Sequence, residues 1–120
     1  MNNREEGNRY EEIAAEFLEK HGVRIVNRNF RCRFGEIDII GLKDRVLIFF
    51  EVKYRSGPGQ GHAKEAVTLN KQRIICLVSD HYRVYKRQYA DYQVRYDVIA
   101  IDKDKIEWIP AAFEYIGRGF

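Results

Sequence analysis

One aspartate, one glutamate and one lysine sit inside two short apolar runs, Gly35-Glu36-Ile37-Asp38-Ile39-Ile40 and Val46-Leu47-Ile48-Phe49-Phe50-Glu51-Val52-Lys53. Strand-like sequence this hydrophobic holds an unpaired charge only at a cost of several kcal/mol. Two carboxylates and an ammonium kept there fit a hard divalent cation such as Mg²⁺ or Mn²⁺, which takes oxygen ligands and retains several waters. Such a cation polarises a phosphate oxygen and acidifies a bound water, and a lysine beside it stabilises charge developing at phosphorus. Phosphodiester chemistry on nucleic acid is the simplest chemistry that uses the whole set.

The elements that must position these groups follow from periodicity. The turn Leu42-Lys43-Asp44-Arg45 between the two runs predicts an antiparallel strand pair over 35–41 and 45–53, which brings Asp38 near Glu51. Two-residue alternation puts Glu36, Asp38 and Ile40 on one face. Glu51 and Lys53 share a face of the second strand, with Val46, Ile48, Phe50 and Val52 on the other. A helix is predicted from Glu5 to His21, its apolar stripe Tyr10, Ile13, Ala14, Phe17 and Leu18, closed by Gly22. Stepping 100° per residue turns Glu12 to solvent and leaves Glu11 at the stripe's edge, aimed toward the same site. An isolated acid–lysine pair of this kind is more often a surface salt bridge; four residues converging by geometry favour a metal site.

Further along, Val23 to Phe30 reads as a partly exposed first strand. Ser56-Gly57-Pro58-Gly59-Gln60-Gly61 reads as a mobile loop without the ending of a nucleotide-binding P-loop. A second helix is expected from Thr68 to Tyr85 with Ile74, Leu77, Val78, His81, Tyr82 and Tyr85 inward and Lys71 near that face. Strands follow at Val94–Ile101, interrupted by Asp97, and at Lys105–Ile109. No repeat or linker divides the chain, so a single domain over residues 1–120 is expected.

The composition, 45% hydrophobic and 32% charged over 120 residues, is that of a folded domain with a core. The longest apolar run, Val46 to Phe50, is far too short for a membrane span, and the polar N-terminus is no secretory signal, so a cytoplasmic location is expected. Cys32 and Cys76 are expected reduced, and His21, His62 and His81 are too scattered for a zinc site. The net charge of +3 is unevenly spread. Residues 21–33 carry four arginines and no acid, and residues 71–95 carry six basic groups interleaved with Tyr82, Tyr85, Tyr89 and Tyr92. Two readings fit the second group equally: a surface for phosphates and exposed bases, or a solvated helix face with snorkelling side chains.

The chain resembles the PD-(D/E)XK nuclease superfamily, and within it a small bacterial branch called YraN-like, which is similar to archaeal Holliday-junction resolvases. The resemblance runs through Glu11-Glu12-Ile13-Ala14 with Phe17-Leu18, Asn29, Gly35-Glu36-Ile37-Asp38, Phe50-Glu51-Val52-Lys53-Tyr54-Arg55, Ala66-Val67-Thr68, Lys71-Gln72 and Arg95-Tyr96-Asp97-Val98-Ile99-Ala100, ending at Glu107-Trp108-Ile109 and Phe113. It implies an α/β (α+β) restriction-endonuclease-like core, a mixed central β-sheet flanked by helices. It implies Asp38, Glu51 and the Val52 carbonyl as metal ligands and Lys53 as the catalytic lysine. Glu11 then completes the catalytic set, and Lys71 and Gln72, with Arg55, face the substrate. Tyr10 stands where many relatives have glycine. Glu36 is either a further ligand or a support to one, and Asp97 is expected to satisfy an arginine rather than bind metal.

The function implied is a metal-dependent endonuclease on DNA, with branched or structured DNA as the leading substrate. The alternative is a nucleic-acid-binding protein of the same fold with weak or no catalysis. Cutting a junction symmetrically would take a homodimer.

Overall fold

The computed structural model describes residues 3–55, 67–103 and 105–117, with side chains from residue 8 and not at Arg55. The order is α1 (Asn3–Lys20), β1 (Arg24–Cys32), β2 (Gly35–Lys43), β3 (Val46–Arg55), α2 (Leu69–Tyr85), a short 3₁₀ turn at Arg87–Tyr89, β4 (Gln93–Asp102) and β5 (Lys105–Phe113). The five strands form one sheet in sequence order. All neighbours pair antiparallel except β3 and β4, which run parallel. A parallel pair needs a long crossover, and α2 supplies it. The result is a mixed five-stranded sheet with two helices, the α+β class expected and consistent with a restriction-endonuclease-like core.

The helices cover opposite faces of the sheet. Ala14, Ala15 and Leu18 of α1 pack with Ile39, Ile48, Phe50, Ile99 and Ile101. Ile75, Cys76, Val78 and Tyr82 of α2 pack with Ile37, Ile40, Leu47, Phe49, Tyr96 and Val98. Alternation along β3 therefore runs as its sequence predicts, with Ile48 and Phe50 toward α1 and Leu47 and Phe49 toward α2.

Helix α1 stops where Gly22 adopts φ +88°. Gly22 N–H bonds Glu19 C=O at 3.2 Å and Val23 N–H bonds Leu18 C=O at 3.0 Å. This is the Schellman arrangement, with buried Val23 and Leu18 making its apolar contact. Helix α2 begins at Thr68, whose hydroxyl accepts from Lys71 N–H at 3.2 Å.

Two expectations need correction. The inward stripe of α2 is rotated: Ile75, Cys76, Val78, Ser79 and Tyr82 are buried, whereas His81 and Tyr85 are exposed. Ser79 can face inward because its hydroxyl bonds both Cys76 C=O and the Tyr96 hydroxyl. Strand β5 continues past Ile109 to Phe113, through a register shift opposite Asp97 and a left-handed Ala111 at φ 50°. Tyr82 is a core residue, as its inward helical phase predicts, edge-on to Phe30 and Phe49, with Tyr89 stacked on it and Tyr92 beneath Arg45. Among the four interleaved tyrosines only Tyr85, 66% exposed, stands clear of the core.

Both cysteines are free thiols, Cys76 buried with its sulfur accepting from Ile116 N–H at 3.4 Å. No helix is long and apolar enough to cross a membrane.

Asp97 is fully buried and fully partnered. It takes two bonds from Arg95 at 2.8 and 2.9 Å, one from Trp108 Nε1 at 2.8 Å and one from Ala111 N–H at 2.9 Å. It thus joins β4 to the irregular part of β5. Removing one member of such a pair strands the other's charge, so Asp97→Ala should destabilise the fold by about 3–5 kcal/mol in a urea titration.

Candidate active site

The ladder between β2 and β3 runs from Lys43↔Val46 to Ile39↔Phe50 and stops there. Beyond it the Asp38 side chain occupies the bonding position, and Val52 N–H donates to Asp38 Oδ2 at 2.9 Å. The backbone of β2 turns at this point: Ile37 packs in the α2 layer and Ile39 in the α1 layer, so strict alternation breaks at Asp38. This corrects the expectation that Glu36, Asp38 and Ile40 share one face. Opposite Asp38 in β1, Asn29 takes φ 53°, a left-handed conformation that asparagine tolerates better than most residues. Asp38 consequently points between β2 and β3.

Glu51 lies on the α2 face of β3, 7% exposed, with Lys53 Nζ 3.5 Å from its Oε1. Since N–H and C=O of one strand residue face the same neighbour, the Val52 carbonyl opens into the same gap as Asp38. Lys71, fixed in the first turn of α2 by the Thr68 cap, is near enough that its charge favours ionisation of both Asp38 and Glu51. Gln72 half-buries beside it, its amide donating to Val67 C=O at 3.0 Å. The Arg55 side chain and the 56–61 loop lie outside the described residues.

Glu11 faces inward from α1 as its helical phase requires, while Glu12 turns out to pair with Arg28 at 2.7 Å. Between Glu11 and Glu36 sits the Asn29 carboxamide. With its nitrogen turned to them it donates to Glu11 Oε1 at 2.7 Å and Glu36 Oε1 at 3.0 Å. Glu36 also accepts from Arg31 Nε at 3.1 Å. Sequence reasoning gave Asn29 no role. The available signal was an asparagine within a strand directly opposite Asp38, where a left-handed turn of the chain is tolerated. Tyr10 is likewise not a defect of α1, because its ring stacks on Tyr54 at 4.0 Å beside Lys53.

Electrostatics mark this cluster. Burial, then the neighbouring Asp38 charge, pushes Glu51 from 4.5 up to about 7. Asp38 is raised chiefly by burial, against the opposing bond from Val52 N–H. Glu11 is raised by burial and by Asp38 and Glu36. Three carboxyl groups are thus held where proton or cation is favoured over bare charge, which is common at functional sites. Among the described residues no three His, Cys, Asp or Glu side chains converge tightly enough to hold a metal by themselves. Asp38 and Glu51 with the Val52 carbonyl are the oxygen donors grouped at the gap.

Residues 10–101 match the model of a family described as "Uncharacterised protein family UPF0102". The chain belongs to this family. It is 39% identical over 117 residues to a UPF0102 protein of Lachnoclostridium phytofermentans, spanning 98% of this chain and 99% of that one. It is 40% identical over 109 residues to UPF0102 protein FN1370 of Fusobacterium nucleatum, 91% of each chain. A UPF0102 protein of Aeromonas hydrophila is 41% identical over 108 residues, 89% of this chain and 83% of the relative. The family match begins at Tyr10 and so takes in Glu11, Asp38, Glu51 and Lys53.

The raised Glu51 gives a direct test. Between the ordinary glutamate range and about pH 7 the folded chain holds a proton that the unfolded chain releases. Stability from this group is therefore present at low pH and lost as pH rises through 7. In chelator, urea titrations from pH 5 to pH 8 should show a loss of up to about 3 kcal/mol, and Glu51→Gln should flatten that slope.

Proposed function

We propose that this UPF0102 chain is a divalent-cation-dependent endonuclease that hydrolyses phosphodiester bonds in structured or branched DNA. The observation that carries the reading is the gap between β2 and β3, where Asp38, Glu51 and Lys53 meet although the carboxylates repel each other. Asp38 satisfies one backbone amide, but that use does not call for a second buried acid, Glu51, beside it with a lysine 3.5 Å away. Asp97, partnered on every side in the same sheet, is what a structural aspartate looks like here.

The donor set fits Mg²⁺ or Mn²⁺: carboxylate oxygens of Asp38 and Glu51 and the Val52 carbonyl, with waters to complete the shell as such cations commonly keep them. When bound, the cation would polarise a phosphate oxygen and acidify a coordinated water. Lys53, partly exposed beside Glu51, presents an ammonium to charge growing on the phosphate. Glu11, raised by burial and held by Asn29, stands at the α1 side as a group able to keep or accept a proton. Lys71, at the start of α2, offers a second cation to the substrate backbone. Cutting both strands of a junction calls for two sites, hence a homodimer.

A second reading, a nucleic-acid binder of this fold with weak or no catalysis, is favoured by one observation: no three side-chain ligands converge among the described residues. Calorimetric titration of Mn²⁺ or Mg²⁺, followed by incubation with a labelled four-way junction, separates the two. The nuclease reading expects binding that Asp38→Ala/Glu51→Ala abolishes, and cleavage that Lys53→Ala lowers at least about 100-fold. Junction binding without any metal-dependent cleavage, identical in wild type and Lys53→Ala, would establish the binder.

A further inference from the structure

Beside the candidate site a groove of about 450 Å³ runs between β1 and the C-terminal half of α2. Its lining is Asn27, Asn29, Phe30, Arg31, His81, Tyr85 and Lys86. The lining holds two permanent cations, one imidazole, two amides and two aromatic rings, and no carboxylate. Its floor is built rather than incidental: Phe30 is wedged edge-on against buried Tyr82, and Tyr85 lies roughly parallel to Phe30 at 6.2 Å. Lys86 Nζ sits 5.1 Å from the centroid of the Tyr85 ring. Tyr85, two-thirds exposed at the rim, contributes little to the core.

The groove connects with the acidic gap through shared residues. Asn29 lines the groove and bonds Glu11 and Glu36, and Arg31 lines it and bonds Glu36. A ligand lying in the groove therefore leads toward Asp38 and Glu51.

The geometry points to a subsite for one unpaired nucleotide of the substrate strand, its base on Tyr85 and Phe30 and its phosphate at Arg31 and Lys86. This rests on the nuclease reading for the meaning of the adjoining site and deepens it, since the substrate class becomes DNA with a single-stranded arm rather than continuous duplex. A base stacked in a duplex presents no face to an aromatic ring, whereas a splayed strand does, and stacking of this kind is indifferent to sequence. Carboxylates exclude the phosphate backbone, and the groove has none, although two, Glu11 and Glu36, adjoin it. That charge separation would hold a strand in the groove and leave the gap, where a bound cation would neutralise Asp38 and Glu51, for the scissile phosphate.

The test measures binding by fluorescence anisotropy in EDTA, with a splayed-arm DNA and a continuous duplex of equal length. Wild type should prefer the splayed arm. Tyr85→Ala should lose about tenfold on the splayed arm and leave duplex binding unchanged. Lys86→Gln, which keeps the fold, should weaken splayed-arm binding and lower its salt slope by about one. An unchanged splayed-to-duplex ratio in Tyr85→Ala overturns the subsite. So does labelled poly-glutamate binding as tightly as DNA and losing it in Tyr85→Ala, which would make the groove a site for an acidic protein segment. Because the assay contains no metal, its result is independent of cleavage. A preference that Tyr85→Ala removes supports the subsite even if the protein cuts nothing, and cleavage of duplex with an unchanged ratio leaves the nuclease and removes the subsite.

Discussion

The bond from Val52 N–H to the Asp38 carboxylate is the constraint around which this end of the molecule is arranged. A β-ladder normally satisfies its buried amides with carbonyls of the next strand, and an orphaned one is costly. Here a side-chain oxygen takes the carbonyl's place, so β2 and β3 part without leaving that amide unpaired. The separation has three results: a carboxylate sits between strands, a main-chain carbonyl faces the gap, and Ile37 and Ile39 pack in opposite layers. None would survive if the pairing continued in regular register.

Two aspartates at irregular points of one sheet show how surroundings decide the use of a charge. Asp97 spans the irregular stretch of β5 and accepts from an arginine, an indole and a backbone amide. Asp38 does the same for the β2–β3 separation with one backbone amide among the described residues, while its other neighbours include Glu36 and Glu51. The first arrangement closes electrostatically. The second holds several acids close together with Lys53 paired to one of them, Glu51, so it stores repulsion that a proton or a cation relieves. Packing keeps it in place: Phe49, Phe50 and Ile48 immediately before Glu51 are buried between two helices, and that rigidity holds the acids together against their repulsion.

Much of the framework was legible because it depends on local periodicity. The apolar stripe and Gly22 fixed α1, and its 100° step separated Glu11 from Glu12 with no knowledge of what lay opposite. The turn after Leu42 fixed the antiparallel pair, and alternation held along β3 because β4 pairs with it over its whole length, Val46 to Arg55, while β2 pairs with its first half. Alternation failed in β2 because it assumes continuous pairing, and pairing ends at Asp38. The face of α2 was misread for a related reason. Ser79 and Cys76 look polar or neutral in sequence, and only Tyr96 and Ile116, from distant parts of the chain, give them partners that allow burial.

What the sequence determined by itself was the inventory and its rough neighbourhood: two acids and a lysine on consecutive strands, a helix glutamate of the right phase, and a sheet flanked by helices. These follow from spacings of two and 3.6 residues, which are properties of the backbone alone. The tertiary structure decided which charges are satisfied. It gave Asp97 its full set of partners and Asp38 only one described bond, raised Glu51 to about 7, and put Asn29 between Glu11 and Glu36. It also turned Tyr85, expected inward with Tyr82, out to the rim of a basic groove. Burial and long-range pairing set the energy of a charge, and neither can be read from the residues adjacent to it in the chain.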